Sequence, residues 1–155
     1  MSAVAIPVAT VPAEDAQMER QAEPKARILS ISANPADHAG LNRMIDHKLW
    51  QLVTARNCRS AVHKIDRDFA VVFSECALPD GTWRDILDRL SRLDAPPQLV
   101  VTSRLADAYL WSEVLNLGGF DVLAKPLNGV EVRQVLAAIS RHRAGSARVL
   151  AAGAI

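Results

Sequence analysis

One alternation, repeated five times, restricts this chain to very few architectures. From Arg27 onward, short runs rich in β-branched and aliphatic residues are each followed by a helical stretch: RILSIS then PADHAGLNRMIDHK, LWQLVTA then RSAVHKID, and FAVVFSE then TWRDILDRLSRL. PQLVVTS then ADAYLWSEVLNLG and FDVLAK then GVEVRQVLAAISRHR complete the series. Strict β/α alternation with nearly continuous apolar strands, such as Phe69 to Phe73 and Leu99 to Val101, implies a parallel sheet buried on both faces. The expected class is therefore an open α/β sheet with five parallel strands and helices wound on both sides.

The helices carry the stripes this architecture requires. Trp83, Ile86, Leu87 and Leu90 recur at i, i+3, i+4 and i+7, as do Val132, Val135, Leu136 and Ile139. Leu110, Val114 and Leu117 are the expected core stripe of the fourth helix. Asn34 before Pro35 reads as an N-cap with proline at the first helical position, Asn128 as the cap of the last helix, and Gly118 as the stop of the fourth.

Composition narrows the function. Half of the 155 residues are hydrophobic and the formal net charge is +1, with no block of like charge; this suits one globular core and gives no footprint for nucleic acid. No apolar run approaches the roughly 20 residues of a spanning helix, so no membrane partner is expected. Cys58 and Cys76 form no CxxC pair, which fits a reduced, cytoplasmic setting without a disulfide framework or a zinc site. Residues 1–25, rich in Ala, Val, Pro and Glu without a steady period, read as a flexible N-terminal arm; the mildly apolar start lacks a basic n-region and is broken by Pro7 and Pro12, unlike a secretory signal.

In open α/β sheets, ligands and chemistry gather beyond the carboxyl ends of the strands. Those ends carry Ser32 and Ala33, Glu75, Thr102 and Ser103, and Lys125 just before Pro126. One acid from the third strand and one lysine from the fifth are thus expected to face each other across the sheet edge.

Over about Ala26 to Arg143 the chain resembles the receiver domains of two-component response regulators. The resemblance rests on ILSIS followed by helix-starting Pro35, a third strand ending four residues before Pro79 of LPDG, the VVTS strand, and above all LGGFDVLAKPL with Lys125 and Pro126. It implies a flavodoxin-like topology with strand order 2-1-3-4-5, a receiver-like domain at 26–143 and a C-terminal tail at 144–155. In that family an acidic pair after the first strand binds magnesium, an aspartate ending the third strand is phosphorylated, and a hydroxyl and a lysine on the fourth and fifth strands contact the phosphoryl group. Here Ser32 and Ala33 stand at the acidic-pair positions and Glu75 at the phospho-acceptor position. Thr102 or Ser103 supplies the hydroxyl, and Lys125 is retained. One carboxylate and a serine hydroxyl make a poor magnesium site. The resemblance therefore implies a stand-alone, degenerate receiver without catalytic residues, metal or cofactor, which acts by binding a protein partner, a histidine kinase or an effector, independently of phosphorylation. The stretch after Arg143 is too short for an output domain, so output is expected through another chain.

Other readings compete at particular residues. The Glu75–Lys125 pair reads equally as a fixed mimic of the phosphorylated state or as a self-compensating ion pair worth about 0–1 kcal/mol if exposed. A helix start at Ser32 to Asn34 would suit a flavin phosphate in a flavodoxin-like protein, although no glycine- and hydroxyl-rich loop follows to wrap it. Residual phosphotransfer through Glu75 or a serine is a further alternative. The cysteines read as small buried hydrophobes, and His38, His47, His63 and His142, without HxxxH spacing, as surface residues. Trp111 and Leu115 lie four apart on the flank of the fourth helix, and Val122 occupies the place of the family's aromatic switch residue. Together they mark the helix 4, strand 5, helix 5 face as the expected surface for a partner or for a homodimer; coverage of the core edge by Trp111 is the competing account.

Overall fold

The computed structural model describes the backbone of residues 25–153 and the side chains of residues 25–145. Apart from Lys25, the segment read as an arm lies outside the described residues. In chain order the elements are β1 (Ala26–Ile31), α1 (Pro35–Met44), β2 (Trp50–Ala55), α2 (Cys58–Lys64), β3 (Phe69–Glu75), β4 (Ala77–Leu78) and β5 (Gly81–Thr82). They continue with α3 (Trp83–Leu90), β6 (Gln98–Ser103), α4 (Ala108–Asn116), β7 (Asp121–Ala124) and α5 (Gly129–Gly153). The strands read as fourth and fifth from the sequence are thus β6 and β7.

Five strands form one parallel sheet in the order β2-β1-β3-β6-β7, which is the 2-1-3-4-5 order expected. Because side chains alternate along a strand, neighbouring apolar residues feed opposite faces. Leu29, Val72, Leu99 and Val101 pack with Ala61, Trp83, Ile86 and Val114 of α2, α3 and α4. Ile28, Val71, Phe73 and Val100 pack with Leu41, Val132, Leu136 and Ile139 of α1 and α5. These two layers hold every strand end of the candidate site in place.

The caps are local chemistry. Asn34 accepts from Ala36 N–H at 3.0 Å ahead of Pro35, and Asn128 accepts from Val130 N–H at 2.8 Å at the start of α5. Gly118 closes α4 with φ 107°, a left-handed conformation that glycine adopts without a Cβ clash.

Four features differ from the sequence reading. Leu117 is 53% exposed rather than part of the α4 stripe: the helix ends at Asn116 and Leu117 is its C-cap, so only Leu110 and Val114 reach the core. Helix α1 stops at Met44 instead of running on to Lys48, because Ile45 is already extended. Helix α5 continues through most of the segment read as a tail, to Gly153.

The fourth difference is a small antiparallel hairpin, β4 with β5, that follows β3. Its turn residue Asp80 accepts the backbone N–H groups of Cys58 at 2.7 Å and Arg59 at 3.0 Å, so it caps α2 from outside that helix. Thr82 and Asp85 form a capping box on α3. Two helix starts are thereby tied to the loop after Glu75.

Because Asn128 supplies the only side-chain cap seen at the start of α5 among the described residues, Asn128→Ala is expected to lower stability by about 1 kcal/mol. Chemical denaturation checks this, and an unchanged midpoint would mean that water satisfies those N–H groups equally well.

Candidate functional site

The site forms where β1, β3 and β7 end. β1 delivers Ser32, which is 3% exposed. The Asn34 cap then turns the chain so that the first turn of α1 brings Asp37 back over the sheet edge. β3 delivers Glu75, and β7 leads into Lys125, whose backbone N–H donates to Ser103 O at 2.9 Å and so keeps it aligned with β6.

Lys125 is the centre. Its ammonium donates to Asp37 Oδ2 at 2.6 Å and to Glu75 Oε1 at 2.7 Å. The lysine side chain is 8% exposed, against 22% for Asp37 and 28% for Glu75. Ser32 Oγ donates to Asp37 Oδ2 at 2.6 Å and lies 3.2 Å from Glu75 Oε2. It also accepts Asn34 N–H at 3.1 Å. One hydroxyl proton cannot serve both carboxylates fully, and the shorter contact assigns it to Asp37. Four residues from four segments thus form one connected network.

Asp37 is the member that sequence reasoning missed. An acid in the first turn of a helix already has an ordinary explanation in the helix dipole, so nothing local singled it out. The usable signal was the Asn34-Pro35 cap, which fixes where that first turn points. His38 was also misread as a surface residue. It is partly buried, with Nε2 2.9 Å from Ser32 O and Nδ1 2.8 Å from Ser30 Oγ, and it braces the end of β1.

The remaining expected residues fall around the network. Ala33 is exposed and offers no side-chain ligand. Thr102 pairs with Glu75 in the β3/β6 register and is buried; Ser103 pairs with Ala124, and its Oγ turns back to accept Leu105 N–H at 3.1 Å. Trp111 is 49% exposed on α4, while Leu115 and Val122 are partly buried nearby in the fold. Of the cysteines, Cys58 is buried and Cys76 half-buried. Burial, reinforced by Asp80, pushes the Cys58 thiol up to about 11. Burial, with help from the charge of Glu75, also raises Cys76. Both are held as thiols at neutral pH, which is the chemistry of packing rather than of nucleophiles.

The electrostatics follow the geometry. Burial pushes the Asp37 carboxyl up, but hydrogen bonds from Lys125 and Ser32, with the charges of Lys125 and His38, outweigh it and hold the group below its ordinary range. Burial pushes the Lys125 ammonium down, and the bonds and charges of Asp37 and Glu75 more than reverse this.

A magnesium ion, which the resemblance implies for an intact receiver, does not fit these residues. Ser32 and Ala33 bring no carboxylate, and the two acids present are already joined by an ammonium that a metal would have to displace. Among the described residues no group of three or more His, Cys, Asp or Glu is placed to hold a metal ion.

No protein-family model matches the chain, and no curated protein matches it. Solved structures do. The signal receiver domain of a protein described as a LuxO repressor, from Vibrio parahaemolyticus, superposes with a TM-score of 0.74 at 18% identity over 81% of this chain and 98% of its own. The chain has the fold of a response-regulator receiver domain. A two-component response regulator from Clostridium difficile is similar to it at 26% identity, with a TM-score of 0.67 over 76% of this chain and 97% of its own. The receiver domain of an HD domain-containing protein from Pseudomonas fluorescens Pf-5 is similar at 19%, with a TM-score of 0.69 over 79% and 99%. No helix among the described residues is long and apolar enough to cross a membrane.

The paired acid and lysine give this receiver fold a defined pH response. Asp37, lowered on folding, contributes stability that is present above its unfolded value and lost as pH falls through the folded one. Lys125, raised on folding, contributes stability that is present below the unfolded lysine value and lost as pH rises through its higher folded one. Asp37→Asn should therefore flatten the loss of stability below the ordinary carboxyl range by up to about one proton's worth of slope. Urea midpoints measured across the acid range test this, and identical slopes in the variant and the parent chain would contradict it.

Proposed function

We propose that this protein is a receiver-fold interaction module of two-component signalling, whose site is closed by its own lysine rather than switched by phosphorylation. One observation carries the reading: Lys125 bridges Asp37 and Glu75 at 2.6 and 2.7 Å. In the resembled family the lysine contacts a phosphoryl group on the acid of the third strand. Here a carboxylate one methylene longer than aspartate reaches the ammonium unaided. Glu75 acts as a permanent stand-in for the modified residue, and the tethered ammonium supplies the positive charge otherwise brought by a diffusible ion. The module catalyses no reaction and works in the cytoplasm.

Output passes through a protein partner, a histidine kinase or an effector, which docks on the face of α4, β7 and α5. Trp111, half exposed on the α4 flank, anchors that surface. Leu115 and Val122 extend it, and a shallow groove of about 450 Å³ bordered by Ala106, Val122 and Val135 runs along the free edge of β7. Exposed aromatics of this kind are favoured anchors at interfaces. A valine where the family keeps an aromatic switch residue leaves this face apolar and without a rotamer to toggle.

The experiment is affinity measurement against the kinase or effector recovered by crosslinking in the native cell. Trp111→Ala should weaken binding by about 2 kcal/mol or more at an unchanged melting temperature. Glu75→Gln and Lys125→Met should each weaken it to a similar degree, with the double variant losing less than the sum. A Trp111→Ala protein that binds as before but melts clearly lower would make the tryptophan a cover for the core edge. Strict additivity of the other pair would reduce their contact to a local ion pair.

A further inference from the structure

Beside the Lys125 network a second groove, of about 570 Å³, opens between α1 and the loops that follow β6 and β7. Its volume falls in the range that holds a small organic ligand. Its lining combines Arg43 and Arg104 with the apolar surfaces of Met44, Pro126 and Leu127. Arg43 and Arg104 are exposed and take part in no ion pair among the described residues. Lys125 and Asp37, also at the groove's edge, are bonded to each other, with Glu75 sharing the lysine, so these three groups together offset only one of the two arginine charges. The charge the groove leaves uncompensated is therefore positive.

Gly40 gives an independent indication. It sits in the interior of α1, where glycine costs helix stability relative to alanine. Its backbone needs no special conformation, and a Cβ built there would meet none of the described residues within 4 Å. Nothing among the described residues accounts for a glycine at this position. It does, however, lie in the wall of the groove, where a missing side chain lets an occupant approach the helix backbone.

We infer that this groove binds a small organic anion, with an acidic head held between Arg43 and Arg104 and an apolar body lying over Gly40 against Met44 and Leu127. The inference is independent of the partner-binding reading, because neither arginine belongs to the Lys125 network or to the α4, β7, α5 face. It makes the domain a carrier or sensor of such an anion in addition to its surface for protein.

Titration of the ¹⁵N-labelled full chain with phenyl phosphate tests it, with benzoate, benzyl alcohol and inorganic phosphate run in parallel. Phenyl phosphate should produce saturable shifts at Gly40, Arg43, Met44, Arg104 and Leu127, while benzyl alcohol and inorganic phosphate should each bind about tenfold more weakly or worse, having lost the charged or the apolar half. Benzoate binding as tightly as phenyl phosphate identifies a carboxylate site, and weaker benzoate binding a phosphate-ester site; either supports the anion assignment. Arg43→Gln and Arg104→Gln should each weaken binding about fivefold to tenfold. Gly40→Leu should abolish it while melting at the same temperature or higher. Equal binding of benzyl alcohol or of inorganic phosphate overturns the proposal, as do shifts confined to other surfaces or undiminished binding by Gly40→Leu.

Discussion

The ammonium of Lys125 is the interaction on which the site depends. Without it, the carboxylates of Asp37 and Glu75 would share one partly buried space with only Ser32 to donate between them. Removing one member of a fully buried ion pair costs about 3–5 kcal/mol. Partial exposure of both acids places this bridge below that range, yet above the small value of an exposed pair. The sequence left two accounts of Glu75 and Lys125 open, and the geometry adds a second acid to both: one ammonium is shared by two carboxylates, so with all three groups ionised the bridge keeps a net negative charge.

Each participant is supplied by a different part of the fold, so the bridge reports on the whole architecture. Parallel strand order brings the ends of β1, β3 and β7 to one edge. The Asn34 cap aims Asp37, His38 braces the end of β1, and the backbone bond from Lys125 to Ser103 fixes β7 beside β6. The β4–β5 hairpin adds a restraint of its own. Through Asp80 and Asp85 it fastens the loop after Glu75 to the starts of α2 and α3, so the segment next to the acid is held by side-chain caps on both helices. A loop tied in this way is poorly suited to large rearrangement, which accords with a module read in one conformation.

Much of this was legible in the sequence because it is periodic. Apolar strands alternating with striped helices allow essentially one class of sheet, and Trp83, Ile86 and Leu90, like Val132, Leu136 and Ile139, are buried as their spacing requires. What the sequence hid lacks a period. Two-residue strands at Ala77–Leu78 and Gly81–Thr82 are too short to show alternation. Asp37 and His38 reach their partners through the tertiary turn after β1 rather than through any motif. Leu117 continued a helical pattern past the point where the helix ended, because Gly118 stops the backbone one residue after the stripe's last apolar position. Spacing also could not choose between Thr102 and Ser103; the strand register places Thr102 directly beside Glu75 and turns Ser103 toward its own loop.

The central claim is that Lys125 occupies the ground a metal and a phosphoryl group would need, and backbone amide spectra recorded during titration with magnesium and beryllofluoride test it most directly. The account predicts no saturable change around Ser32, Glu75, Thr102 or Lys125 in the parent chain, since neither species can enter without breaking both of the ammonium's short contacts. Saturable shifts centred on Glu75, and propagated to Val122 and α4, would contradict it and restore a phosphorylation switch to this receiver fold.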